Sequence, residues 1–143
     1  MENIKLIIVS PDGTLYNETA EFIKIRTIEG DIGIKGEHSN YFSVISFGEC
    51  MVKNSKEIKY AACSDGYISV KNKNQVKLVA TTFEWDDSID AKRAEQAYEN
   101  AIEMLESMDK KDKDYKRYKD KFMRAEVRKK VVETYFIERG TGN

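Results

Sequence analysis

The sequence predicts an α+β protein in two segregated parts, an all-β domain of sandwich or barrel type followed by an antiparallel two-helix hairpin. Three observations carry this. Up to Trp85 the apolar residues recur with a period of two; beyond it they recur at steps of three and four. The single proline, Pro11, falls in the first turn signal, and no glycine lies between residues 87 and 136. A short polar run divides the helical part in two.

The β half is a succession of short runs. "NIKLIIVS" is stopped by Pro11-Asp12-Gly13, after which "TLYN" resumes extended chain. "EFIKIRTI" alternates and ends at "EGDIG"; "YFSVISFG", "ECMVKN", "KEIKYAACS", "YISVKN" and "QVKLVATTF" follow. They are rich in Ile, Val, Tyr and Phe and are separated by Gly, Asn, Asp and Ser at roughly eight-to-twelve-residue spacing, the rhythm of a sandwich or barrel. Residues 1–86 are therefore assigned to this domain.

Residues 87–136 form the hairpin. Ala91, Ala94, Tyr98, Ala101, Leu105 and Met108 make one helical stripe, widened by Ala97 and Ile102. Tyr115, Tyr118, Phe122, Ala125, Val132 and Phe136 make a second, interrupted by Lys129. The connection "SMDKKDKD" is short and polar, so the helices fold back on each other. From Asp87 to Asp109 two basic residues stand against seven acidic ones; from Lys110 to Phe136 eleven basic stand against five acidic. The net charges of −5 and +6 favour pairing of the helices, although each exposed ion pair contributes only about 0–1 kcal/mol. So narrow an apolar stripe makes a weak core, and the hairpin is expected to be able to leave its docked position. Residues 137–143, "IERGTGN" with its preceding boundary at Phe136, read as a disordered tail.

The chain of 143 residues is 41% apolar and 34% charged, with a formal net charge of −1. Near-neutrality argues against a general nucleic-acid binder. No apolar run is long enough for a transmembrane helix, and no cleavage pattern marks a signal peptide. Cys50 and Cys63 lack metal-ligand spacing and are expected as reduced thiols; a disulfide between neighbouring strands is the less favoured alternative.

Several motifs invite chemistry and are better explained without it. "IIVSPDGTL" is similar to the phosphatase motif of haloacid dehalogenases, but Ser10 replaces the nucleophilic Asp and leaves only Asp12. The chain also lacks the alternating βαβ pattern of that fold, so a Pro-Asp-Gly turn is the expectation. His38, the only histidine, has Glu37 beside it but no nucleophile motif, and reads as a turn organiser. Asp112 and Asp114 lack the central glycine and closing glutamate of a calcium loop. The basic second helix suits an acidic protein surface better than a nucleic acid, given the overall charge.

The segment "DDSIDAKRAEQ", from Asp86, asks for more. Asp87 or Ser88 is a plausible N-cap, and Asp90 then falls at the third helical position, where the dipole favours an acid. A cap does not account for Arg93, a cation in the first turns. Asp90, Arg93 and Ala94 share a face at i, i+3 and i+4, as do Arg124 and Arg128 on the second helix. Folding the hairpin about residues 108–113 sets Arg93 opposite Arg128. Converging arginines need an anion, and guanidinium forks suit phosphate. Asp90 can accept from a base's exocyclic amine, with Ile89 and Ala94 against its ring. The set is nucleotide-shaped.

"VSPDGTLY", "TIEGDIGI" with His38 beyond it, "YAACSDGYISV", "VKLVA" and "DDSIDAKRA", in this order, make residues 3–136 resemble the epsilon subunit of bacterial F-type ATP synthase. The resemblance implies a ten-stranded β-sandwich and a C-terminal two-helix domain. It implies a non-catalytic subunit of the central rotor stalk of a proton- or sodium-translocating ATP synthase, bound to the gamma subunit and resting on the c-ring, on the cytoplasmic face of the cell membrane and associated with it only through the complex. The hairpin would switch between a docked form and an extended form that meets the alpha and beta subunits and inhibits ATP hydrolysis.

In some members an Ile/Leu-Asp-x-x-Arg-Ala motif and two arginines of the second helix bind ATP without magnesium. Ile89, Asp90, Arg93, Ala94, Arg124 and Arg128 match that pattern, and Glu84 stands where those members carry a ligand glutamate. The resemblance thus implies ATP as a regulatory ligand and no required cofactor or metal. It places Asp31 and His38 in the segment facing the c-ring. The loop "KGEHSN" lacks the prolines usual around that histidine, and Ser64-Asp65-Gly66 replaces the usual Ser-Gly-Gly. A free-standing nucleotide-sensing module is the alternative function.

Overall fold

A computed structural model describes residues 3–135; the expected tail at 137–143, and Phe136, lie outside the described residues. Eight strands are followed by two helices: β1 Ile4–Ser10, β2 Gly13–Ala20, β3 Phe22–Thr27, β4 Gly30–Ile34, β5 Tyr41–Ile45, β6 Gly48–Lys53, β7 Ile58–Lys71, β8 Gln75–Trp85, α1 Ala91–Ser107 and α2 Tyr115–Tyr135. Alternation places the strands as the sequence predicts. In β1, Ile4, Leu6 and Ile8 are fully buried while Lys5 faces solvent. The Pro-Asp-Gly segment is a hairpin turn in which Ser10 pairs with Gly13 and the Asp12 amide donates to Ser10 Oγ at 3.2 Å. Gly13 takes φ +123°, which a side chain would resist. Asp12 and Ser10 are thus turn residues.

The ten strands that the resemblance implies are eight here, because two are long enough to serve both layers. β7 has 14 residues and β8 has 11. The first half of β7 pairs with β6 and with residues 82–85 of β8; its second half pairs with β5 and with residues 75–80. β8 pairs in parallel with β1, and β1 carries β2 at the edge. β3 joins β4 and β6 and touches β5 through Thr27 and Ile45, which closes the ring of hydrogen bonds. Where β7 crosses between layers, Asp65 takes φ +56°, a left-handed conformation that Asp tolerates better than most residues. At Gly66 a Cβ would lie 1.7 Å from the Val79 carbonyl oxygen, so the two long strands approach closely only because that residue is glycine.

The sandwich interior is one cluster built from Ile4, Leu6, Ile8, Ile23, Ile25, Ile34, Ile68, Leu78 and their neighbours, closed at one end by the edge-on contact of Phe83 and Trp85 at 4.8 Å. Cys50 and Cys63 are free and buried in it. Hydrogen bonding to Cys63 and burial push the Cys50 thiol well above its ordinary range, so it stays protonated.

The hairpin lies on the outer face of β6 and the first half of β7. Tyr60, Ala62, Ile89, Ala94 and Val131 form a second buried cluster there, with Met51, Val127 and Val132 packed on it. Val131 is fully buried, whereas Val132 of the expected stripe is half-buried. α2 thus has two apolar faces: Phe122 stacks on Tyr98 of α1 at 5.7 Å, while Val127 and Val131, one turn apart, meet the sheet. Lys129, which breaks the stripe in the sequence, sits 4.3 Å from the Tyr98 ring and 3.5 Å from Glu95. A cation over an aromatic face with a carboxylate beside it suits a half-buried position. Thr134 Oγ1 lies 3.0 Å from both Glu49 Oε2 and the Lys130 carbonyl, so its one proton is shared between β6 and its own helix at the far end of α2.

Candidate ligand cleft between sandwich and hairpin

The chain leaves β8 at Trp85 and makes a 3-10 turn at Asp86–Ser88 before α1 begins. Asp86 is buried and its Oδ2 accepts from the Tyr60 amide at 3.1 Å, which fixes the junction to β7. The N-cap is Asp90, not Asp87 or Ser88: its Oδ1 accepts from the Arg93 amide at 3.1 Å. The 3-10 turn takes up the residues that the sequence pattern offers as caps, so the helix starts one turn later than expected.

Ala94 packs with Val131, and Ala97 shares a cleft with Arg128. Tyr98 stacks on Phe122 and Glu95 pairs with Lys129, so the helices meet close to the expected register, and it is the face of α1 on which Arg93 stands that keeps it from the cleft. Arg93 is exposed and does not border the cleft, and Asp90 is exposed at the cap. Ile89 and Ala94 lie in the docking cluster. Of the seven sequence-predicted ligand residues, the structure brings Glu84, Arg124 and Arg128 together and leaves Asp90 and Arg93 at the mouth of α1 as cap residues.

The cleft that Glu84, Arg124 and Arg128 border has a volume of about 340 Å³; small-ligand sites run from roughly 300 Å³ upward. Its sheet side is Ala62, Ser64, Thr82 and Glu84, which lie opposite one another in pairs across the β7–β8 ladder. Its helix side is Lys121, Arg124 and Arg128, at i, i+3 and i+7 on one face of α2. Three cations thus face one carboxylate. Arg128 Nε lies 2.9 Å from Glu84 Oε1, but its N–H is not aligned on that oxygen and makes no hydrogen bond. The contact is an ion pair without a well-formed donor bond, which leaves guanidinium donors to offer an anion.

Sequence reading missed Lys121, Ser64 and Thr82. The spacing of Lys121 with Arg124 and Arg128 was a legible signal; the other two depend on the register that sets Ser64 opposite Thr82, which no local pattern reveals.

Asp31 and His38 are set apart. Asp31 pairs with Arg26 at 2.9 Å and with Lys24 at 4.0 Å. It borders a second cleft, of about 600 Å³, under α2, where Glu49, Glu126 and Glu133 face Lys129 and Lys130. Cations and carboxylates are evenly matched there, so it presents no net charge to a ligand. His38 lies toward the other end of the β5–β7 ladder. Its amide donates to the Lys73 carbonyl at 2.9 Å, its Nδ1 is 2.7 Å from the Ser39 carbonyl, and its ring meets Tyr41 edge-on. It organises the turn. Asp112 and Asp114 lie in the inter-helix connection, where Asp112 Oδ1 accepts from the Asp114 amide. No described helix is long and apolar enough to cross a membrane.

The family model described as ATP synthase, Delta/Epsilon chain, beta-sandwich domain matches residues 3–86, and that described as ATP synthase, Delta/Epsilon chain, long alpha-helix domain matches residues 87–133. The ATP synthase epsilon chain of Caldicellulosiruptor bescii is 32% identical, over 93% of this chain and 96% of that protein. That of Alkaliphilus oremlandii is 33% identical, over 71% of this chain and 75% of that protein. In fold, the chain is similar to one in the Euglena gracilis mitochondrial ATP synthase assembly of OSCP, F1 and c-ring, with a TM-score of 0.71 and 20% identity over 95% of this chain and 81% of that one. It is likewise similar to one in the central stalk and c-ring of Tetrahymena thermophila mitochondrial ATP synthase, with a TM-score of 0.65 and 14% identity over 92% and 97% of the two chains. With both parts matched in sequence order, the chain belongs to the ATP synthase delta/epsilon chain family, as an epsilon subunit of the F-type enzyme.

Proposed function

We propose that this chain is a regulatory and coupling subunit of the ATP synthase central stalk, linking the gamma subunit to the c-ring and inhibiting ATP hydrolysis when its hairpin leaves the docked position. It makes no catalytic contribution of its own and meets the membrane through the complex, on its cytoplasmic face. The observation that carries this reading is the weakness of the docking. Among the described residues, five buried side chains, two of them alanines, hold the hairpin to the sandwich, with Met51, Val127 and Val132 partly buried beside them, and a fully buried Val or Ile contributes only about 1.5–3 kcal/mol. An element held so lightly exchanges between states when a partner offers competing contacts. Once released, the net positive α2 segment suits acidic surfaces of the alpha and beta subunits. On the opposite layer, Phe42 and Val44 are 63% and 46% exposed, and Phe42 stacks on Tyr67. This bare apolar face suits the gamma subunit.

ATP is the ligand proposed for the cleft, with Arg124 and Arg128 on its phosphates and Ile89, Asp90, Arg93 and Ala94 toward its nucleoside after a shift of α1. The cleft's cations take the neutralising place that magnesium holds elsewhere. Calorimetry on the full chain, without magnesium, is expected to give binding heat with ATP. Arg128→Ala removes a charge-assisted bond worth about 1.5–3 kcal/mol, so it is expected to weaken binding by roughly ten- to a hundredfold, and by more than Arg93→Ala does. Absence of heat at millimolar ATP sinks the nucleotide reading and leaves the stalk function standing. Binding together with no effect on hydrolysis by the head complex would instead favour a free-standing nucleotide-sensing module.

A further inference from the structure

Ser64 and Thr82 stand directly opposite each other on β7 and β8, with their hydroxyl oxygens 2.6 Å apart. They share the outward face with Ala62 and Glu84, two residues along on each strand, and so look toward α2. Ser64 is 1% exposed. Two hydroxyls carry two protons, and their mutual bond uses one. Ser64 Oγ also reaches Asp65 Oδ2, but only at 3.4 Å, longer than the ordinary O–H···O distance; when the Ser64 proton instead makes the 2.6 Å bond to Thr82, the Thr82 proton is the one left over. One proton of the pair is therefore left to donate into a cleft whose far wall is cationic.

We propose that the Ser64–Thr82 hydroxyl pair is a further part of the ligand site, donating to a phosphate oxygen of the ligand while Arg124, Arg128 and Lys121 hold the phosphates from the helix side. Arg128 then exchanges Glu84 for the ligand. This rests on the reading of the cleft as a nucleotide site and adds the sandwich's share of it. The arginines alone would hold a phosphate equally well on an undocked hairpin. A donor on the sheet makes the ligand a tie between the two parts, so binding and docking become one event.

The test is calorimetry on the full chain, without magnesium, using ATP and inorganic tripolyphosphate. The wild-type chain is expected to bind both. Thr82→Val keeps the β-branched shape and removes the hydroxyl; it is expected to weaken both ligands by fivefold or more, to a similar degree, with an unchanged circular dichroism spectrum. Thr82→Ser restores the hydroxyl and is expected to restore affinity, which separates a lost donor from a damaged strand. Thr82→Val binding both ligands within twofold of wild type overturns the proposal and leaves the ATP reading intact. A loss confined to ATP assigns the contact to the nucleoside and overturns it as well. No heat from either ligand with the wild-type chain overturns this proposal and the ATP reading together.

Discussion

Deletion of residues 87–143 is expected to abolish inhibition of ATP hydrolysis while leaving a folded sandwich that still binds the stalk. The sandwich's interior cluster is drawn entirely from residues before Asp86, and its ring of strand pairings closes without the helices. Among the described residues, what the hairpin adds against the sheet is the outer cluster, whose sheet side is Tyr60, Ala62 and Met51. Truncation exposes that small patch and removes every basic residue of α2. Asp86 should be retained, since it accepts from the Tyr60 amide and holds the end of β8 against β7. Adding the full chain and the truncated chain in turn to the head complex and following ATP hydrolysis gives the comparison. Inhibition that survives truncation would remove the hairpin from the mechanism.

Gly66→Ala is expected to cost about 3 kcal/mol or more, a large fraction of the roughly 5–15 kcal/mol that a domain has in total. The added Cβ would fall 1.7 Å from the Val79 carbonyl oxygen and 2.7 Å from its carbon. Both are backbone atoms in the β7–β8 ladder, so no rotamer relieves the clash and the strands must part. The neighbouring Asp65 already holds a left-handed conformation at the point where β7 changes layer, which leaves little freedom to yield. Gly13 and Gly30, by contrast, take positive φ with nothing within 4 Å of a Cβ, so alanine there meets no clash and should cost about 1–3 kcal/mol of backbone strain. Urea unfolding of the three variants checks the order; a Gly66→Ala midpoint equal to wild type would show that the close approach is not needed.

The alternation of Ile4, Leu6 and Ile8, and of Ile23 and Ile25, made each strand legible, because one face of every strand is buried. The number of strands was less so. β7 joins the "KEIKYAACS" and "YISVKN" runs across Ser64-Asp65-Gly66, and whether such a weak turn signal ends a strand or bends it is decided by packing between layers. The helical stripe was legible where α2 meets α1, through Phe122 and Tyr98. The second face of α2, at Val127 and Val131, was hidden because a helix that packs on two sides has no clean polar side. In the cleft, Arg124 and Arg128 were found from their spacing and Glu84 from family likeness. Placing Arg93 required knowing which face of α1 meets α2 and the sheet; Ala94 takes that face and Arg93 is left exposed. Ser64 and Thr82 are separated by 18 residues and meet only through the β7–β8 pairing.

The central claim is that the docked hairpin is the non-inhibiting state. It is tested most directly by locking the hairpin down. Glu49 and Thr134 touch across the interface at 3.0 Å, so cysteines placed at both positions can be joined by a short bismaleimide. Cys50 and Cys63 are buried, with the Cys50 thiol held protonated, and should be spared. The cross-linked chain is expected to bind the head complex and leave ATP hydrolysis uninhibited, whereas the same variant without the cross-linker inhibits. Equal inhibition by the cross-linked and free forms would contradict the account.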